Sequence, residues 1–165
     1  MKRQLKSWQT AFTYVDIVIV LLTVGILSAV ALPRFNAALD AYRVEGATRC
    51  VVHDLALART LARRQSQETV IEFSTASPTY RIINASHPDR PLETHEVDLS
   101  AAGFRVAFTN VSFDGFTQLA FDLHGEPYAV DASGVRSPLQ NGQITIAAGQ
   151  SSRTLQVEPL TGTAR

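Results

Sequence analysis

The chain has 165 residues, 45% of them hydrophobic and 18% charged, which suits one ordinary folded domain and excludes a disordered or low-complexity chain. A single cysteine excludes an internal disulfide framework and a cysteine-rich zinc site. The net charge is zero, so a general nucleic-acid coat is excluded, but the charge is unevenly spread: +3 over residues 1–11, −1 at Asp16, +3 over 34–64 and −5 over 65–165.

The first element is a basic head, Lys2, Arg3 and Lys6, followed by an apolar run. No charged residue occurs from Ile17 to Pro33. A helix starting at Phe12 and ending near Pro33 rises about 33 Å, enough to cross a hydrocarbon core of roughly 30 Å. The basic end predicts a cytoplasmic N-terminus and an exported remainder. A secretory signal cleaved after Ala29-Val30-Ala31, and a plain uncleaved anchor, both satisfy this pattern. A third reading rests on Ala11-Phe12-Thr13-Tyr14-Val15-Asp16, the apolar run, and Ala31-Leu32-Pro33-Arg34-Phe35. This segment resembles the N-terminus of type IV pilins and type II secretion pseudopilins. The resemblance implies a leader of residues 1–11, Phe12 as first mature residue, an acid at mature position five (Asp16) and a proline at twenty-two (Pro33). Ala11 stands where the family usually has Gly, Asp16 where it has Glu, and Tyr14-Val15 where Leu-Ile is common. The carboxylate favours this third reading. An acid costs about 2.5–3.5 kcal/mol near the centre of a membrane helix, less toward the interface, and a disposable signal gains nothing from it.

The next element is an amphipathic helix over 34–65. Phe35, Leu39, Tyr42, Ala47, Val51, Leu55, Ala58 and Ala62 recur at near-helical spacing with one slip, and Arg and Asp fall between them. Pro33 should kink the rod or mark a local break.

After Arg64 the period changes to two. Candidate strands are Thr69–Phe73, Thr79–Ile83, His95–Leu99, Phe104–Phe108, Leu119–Phe121, Tyr128–Val130, Gln143–Ala147 and Thr154–Val157. Ser77-Pro78, Gly103, Asp114-Gly115, His124-Gly125, Ser133-Gly134 and Asn141-Gly142 separate them. Short strands after one long helix predict an α+β fold, with an antiparallel sheet over 66–165 packed on that helix. Leu119-Ala120-Phe121-Asp122-Leu123-His124-Gly125-Glu126-Pro127 resembles the hydrophobic-Phe-x-x-x-Gly turn of the GspH/FimT minor pilins. Gln143–Ile146, Arg153–Val157 and Gly162-Thr163-Ala164-Arg165 resemble that family's last strands and closing Gly-Arg tail. The resemblance implies a type IV pilin-like fold.

Few residues look chemical. Cys50 and His53 lie three apart on the helix and could meet, but a metal needs more ligands and a nucleophile needs an oxyanion site. The histidines at 53, 87, 95 and 124 share no ligand spacing. Asp122-x-His124-x-Glu126 could hold a cation, although a solvated turn accounts for it better. No nucleophile elbow, P-loop or dinucleotide fingerprint occurs, so neither catalytic nor cofactor or metal residues are expected. Arg59, Arg63 and Arg64 suit a helix C-terminus, and the acidic β region opposes nucleic-acid binding.

The resemblance therefore carries the functional expectation. It implies a non-enzymatic minor pseudopilin, cut between Ala11 and Phe12 by a prepilin peptidase and N-methylated on Phe12. Asp16 would compensate the new amine, Pro33 would kink the helix, and residues 12–33 would cross the membrane and then form filament core. The partners implied are sibling major and minor pseudopilins and an inner-membrane assembly platform, with the β domain outside the cytoplasm. An exported binding module on an ordinary signal, and a DNA-uptake pilin, are the competing expectations.

Overall fold

A computed structural model describes residues 13–87, 90–101 and 103–165. One helix, α1 (Tyr14–Gln65), precedes nine strands: β1 (Thr69–Ser74), β2 (Thr79–His87), β3 (Arg90–Asp98), β4 (Ala107–Phe113), β5 (Gln118–Phe121), β6 (Pro127–Val130), β7 (Arg136–Pro138), β8 (Gly142–Ala148) and β9 (Ser151–Val157). The chain divides into two compact units, residues 1–36 and 37–165. The helix is continuous through Pro33, although proline lacks the N–H that would reach back to Ala29.

In the second unit, α1 buries Val44, Ala47, Thr48, Val51, Asp54, Leu55, Ala58 and Ala62 along one stripe. Tyr42 is 77% exposed, which removes it from the apolar face expected from the sequence. The slip between Tyr42 and Ala47 marks this change, because Val44 rather than Tyr42 continues the buried stripe at helical spacing. The helix closes with Ser66 at φ 49° and the Gln67 N–H donating to the Ala62 carbonyl at 3.2 Å, the geometry of a Schellman cap. Arg63 and Arg64 occupy the last turn, where cations suit the carbonyl end of the helix dipole.

The strands form two antiparallel sheets rather than the single sheet expected. One has six strands in the order β3-β2-β1-β5-β6-β7, and the other has three in the order β4-β8-β9. The separation follows from where β4 pairs. It bonds to β8, with Phe108 opposite Ile146 and Val111 opposite Ile144, instead of joining β3. Both sheets feed one core with α1, through Ile71, Phe73, Tyr80, Ile82, Leu119 and Phe121 from the first, and Phe108, Phe113, Ile144, Ile146 and Leu155 from the second. Phe73 sits at its aromatic centre, with the rings of Tyr80, Phe108 and Phe113 each 5.6 Å away.

Six of the eight expected strands lie within observed ones, although β2 runs four residues past Ile83 and β9 starts three before Thr154. Phe104–Phe108 is corrected to β4, because a bulge at Thr109 between the Phe108 and Asn110 pairings breaks the alternation. The buried residues of β4 are consequently Phe108, Val111 and Phe113, spaced three and then two. His95–Leu99 falls at the end of the longer β3, with Leu99 just beyond it. β7 was not expected: its three residues are all exposed, so no burial pattern could announce it, and Pro138 ends it at the sheet edge.

Two hairpin turns share one design. In Asp122–Glu126 and Asp131–Val135 the first residue exchanges backbone bonds with the fifth residue's carbonyl and with the glycine N–H. The aspartate Oδ1 accepts the N–H groups of the third and fifth residues at 2.8–2.9 Å. Gly125 and Gly134 take φ of 81° and 83°, which L side chains rarely adopt. Asn141-Gly142 is no such turn. Gly142 opens β8, and a Cβ there would lie 2.8 Å from Cβ of Val157, so the glycine serves close packing.

Candidate functional site

The proposed cleavage pair, Ala11 and Phe12, lies outside the described residues. Asp16 is in the first turn of α1. Its Oδ2 accepts the Thr13 N–H at 3.0 Å and the Thr13 hydroxyl at 2.7 Å. Asp16 thus closes the helix start as the third helical residue reaching back to its cap, and its negative charge suits the N-terminal pole of the dipole. Sequence reasoning gave Asp16 only the role of charge partner. The Thr-x-x-acid spacing was the signal for the cap.

Beyond Asp16 the first unit presents apolar side chains to its surroundings. Ile17, Leu21, Leu22, Ile26, Leu27 and Leu32 are each more than half exposed. Within α1 a stretch is long and apolar enough to cross a membrane, and none of it is buried inside the protein. Such a continuous uncovered surface is far larger than a water-exposed monomer ordinarily carries, and it fits membrane anchoring. Thr23 and Ser28 return their hydroxyls to the carbonyls of Val20 and Val24 at 2.8 Å, satisfying their own polarity within the helix.

In the second unit Cys50 and His53 do not come together. The Cys50 sulfur lies 3.4 Å from the Tyr80 oxygen, while exposed His53 turns its Nδ1 to Asp54 at 3.3 Å. Asp54 is the centre of a buried network that sequence reasoning missed. Its Oδ2 accepts the Tyr80 hydroxyl at 2.6 Å and lies 3.0 Å from Nε2 of His95, with Asp54, Tyr80 and His95 all 5% exposed or less. Tyr80 spends its one hydrogen on Asp54, so the Cys50 S–H is the donor in the sulfur contact. Burial, together with the Asp54 carboxylate, holds the Tyr80 phenol well above its usual pKa, and it stays a donor. Burial likewise pushes the Cys50 thiol up, with the Tyr80 contact opposing and Asp54 adding to it, which keeps Cys50 a poor nucleophile at neutral pH. This arrangement ties α1 to β2 and β3.

The Asp122–His124–Glu126 turn spends its aspartate on backbone N–H groups, with Oδ2 also 3.2 Å from Nδ1 of His124. Among the described residues no group of three or more His, Cys, Asp or Glu side chains is placed to hold a metal ion. The closing tail is an ordered element. Arg165 exchanges both backbone bonds with Gln156 at 2.8 and 2.9 Å, Ala164 bridges Val157, and Gly162 (φ 65°) lies against the Phe121 ring.

A family described as "Type II transport protein GspH" matches residues 47–161, from the middle of α1 through the last strand. A comparison with curated proteins finds no match. Among solved structures, the type IV minor pilin FimU of Pseudomonas aeruginosa is similar at 18% identity and a TM-score of 0.48, over 74% of this chain and 86% of that one. The helix stripe from Ala47 to Ala62, the two sheets and the Asp122–Glu126 turn lie inside the matched span, and the chain belongs to the GspH family of type II transport proteins.

Proposed function

We propose that the protein is a non-enzymatic minor pseudopilin of a type II secretion or type IV pilus-like assembly. The observation that carries this reading is the uncovered apolar helix from Tyr14 onward, leading into a domain of the GspH family. A prepilin peptidase would cut between Ala11 and Phe12, where a small residue, an aromatic and the apolar run meet, and the new Phe12 amine would be methylated. Residues 12–33 would anchor the subunit in the inner membrane, with Lys2, Arg3 and Lys6 cytoplasmic and the β domain outside. On extraction by the assembly platform the same surface would pack on sibling pseudopilins, with Pro33 permitting a bend. Asp16 would compensate the amine of its own or an adjacent subunit, since four helical residues rise only about 6 Å. That attraction strengthens in hydrocarbon, although desolvation offsets part of it.

Co-expression with a prepilin peptidase followed by N-terminal mass spectrometry tests the reading. The product should begin at Phe12. A product beginning at Leu32, or an uncut chain, removes its support. Two variants then separate the cap from the charge. Thr13→Val removes the hydroxyl of the cap and should still co-purify with sibling pilins, whereas Asp16→Ala should be cleaved but fail to assemble. Asp16→Glu should be tolerated. Normal assembly of Asp16→Ala would refute charge compensation.

A further inference from the structure

The distal turns of α1 carry three arginines with unused hydrogen-bonding capacity. Elsewhere in the second unit Arg43, Arg49, Arg81, Arg136 and Arg153 each hold a carboxylate: Asp40, Glu45, Glu72, Glu68 and again Glu45. Arg59, Arg63 and Arg64 have no carboxylate and no hydrogen-bond acceptor among the described residues, and the Arg59 Nε is shielded from water as well. The stems of Arg59 and Arg63 are held in place. They lie across Gly125, where a Cβ would come within 2.9 Å of Cδ of Arg63 and 3.1 Å of Cγ of Arg59. The two residues line a recess of about 200 Å³ together with Thr60 and Gly162–Ala164, and Arg64 lines another recess with Thr60 and Arg63.

We propose that Arg59, Arg63 and Arg64 form a docking site for acidic side chains of a partner protein. A carboxylate supplies the acceptor that Arg59 lacks and relieves the repulsion among three cations within two helical turns. The planar guanidinium fork matches a carboxylate in two parallel bonds. The flanks suit a protein partner. Leu123, in the same turn as Gly125, is 51% exposed, and Leu160, two residues before Gly162, is 84% exposed. Arginine is enriched in protein interfaces, and the two leucines add apolar surface that a protein partner can bury. Nucleic acid fits less well, because its affinity grows with the number of phosphates neutralised. Three arginines offer few such contacts, and residues 65–165 carry −5.

The test uses the full chain in zwitterionic detergent micelles and fluorescein-labelled hexaglutamate, read by anisotropy at low salt. Arg63→Gln/Arg64→Gln should weaken binding at least about tenfold, while unfolding stays cooperative and the melt falls only by the small amount expected for two exposed cations lost from the carbonyl end of the helix dipole. Arg34→Gln/Arg105→Gln, which removes the same charge elsewhere, should stay within about twofold of wild type, and added salt should weaken the wild-type interaction. The proposal is overturned by any of four results: wild type does not bind hexaglutamate, the 63/64 variant binds as wild type does, the 34/105 variant loses as much, or a short DNA duplex binds more tightly than hexaglutamate through the same arginines.

Discussion

Removing the Asp54 carboxylate tests whether the buried network holds the helix to the six-stranded sheet. Asp54→Ala strips the acceptor from the Tyr80 hydroxyl, in a residue 2% exposed, and from the Nε2 side of His95, 5% exposed. A buried donor left without its partner costs about 1–3 kcal/mol, toward the upper end when the lost acceptor was charged. Two such donors, with the small void left by the carboxylate, give a loss of about 3–5 kcal/mol. That is a large share of the roughly 5–15 kcal/mol by which a domain is stable. Tyr80→Phe alone should cost about 1–2 kcal/mol, since the carboxylate keeps its contact with His95. In the Asp54→Ala background the same change should be nearly neutral, because it removes the stranded hydroxyl. Urea unfolding of residues 35–165 measures all four free energies, and a folded, monomeric α+β domain is expected from that piece because residues 37–165 form a compact unit with their own core. A loss below about 1 kcal/mol for Asp54→Ala, or simple additivity of the two changes, would refute the pinning role.

Three further outcomes follow from local geometry. Gly162→Ala should destabilise by about 1–3 kcal/mol in the same assay, because its φ is 65° and the new Cβ would lie 2.5 Å from Cε1 of Phe121, a fully buried ring. Ser66→Gly should stabilise by about 0.5–1 kcal/mol, since a glycine meets no steric cost at the φ of 49° that closes α1; a loss of stability would contradict the cap assignment. Asp131 is held below the ordinary carboxylate pKa of 3.8 by the Ser133 hydroxyl and by backbone N–H groups of its turn. Its folded value is the lower one, so its contribution is present above pH 3.8 and is lost as pH falls through that folded value. Stability against pH for Asp131→Asn should therefore fall less steeply than wild type below pH 3.8, and parallel curves would refute the assignment.

The long apolar helix was legible because its signal is one-dimensional: about twenty apolar residues in a row, with a basic stretch on one side. Asp16 stood out as the exception to that pattern. Its cap with Thr13 was equally local, a matter of three-residue spacing. The Asp54 network was illegible, because its members come from α1, β2 and β3 at positions 54, 80 and 95, and nothing in their spacing says that the three meet. An Asp on a helix reads as a solvated residue until a sheet is laid over it.

The same division runs through the fold. Sequence alone determined the helix and most of the strands, because burial on one face writes a period of 3.6 or 2 into the chain, and turn residues such as Gly125 and Gly134 mark where the direction reverses. Tertiary structure decided which face of the helix turned inward, exchanging Tyr42 for Val44, and where β4 lay once the Thr109 bulge had broken its alternation. It also decided that β4 pairs with β8, which divides the strands into two sheets over one core. Alternation records that a strand has a buried face. It does not record which strand lies beside it, because backbone hydrogen bonds are the same for every partner and only side-chain packing across the finished core distinguishes one pairing from another.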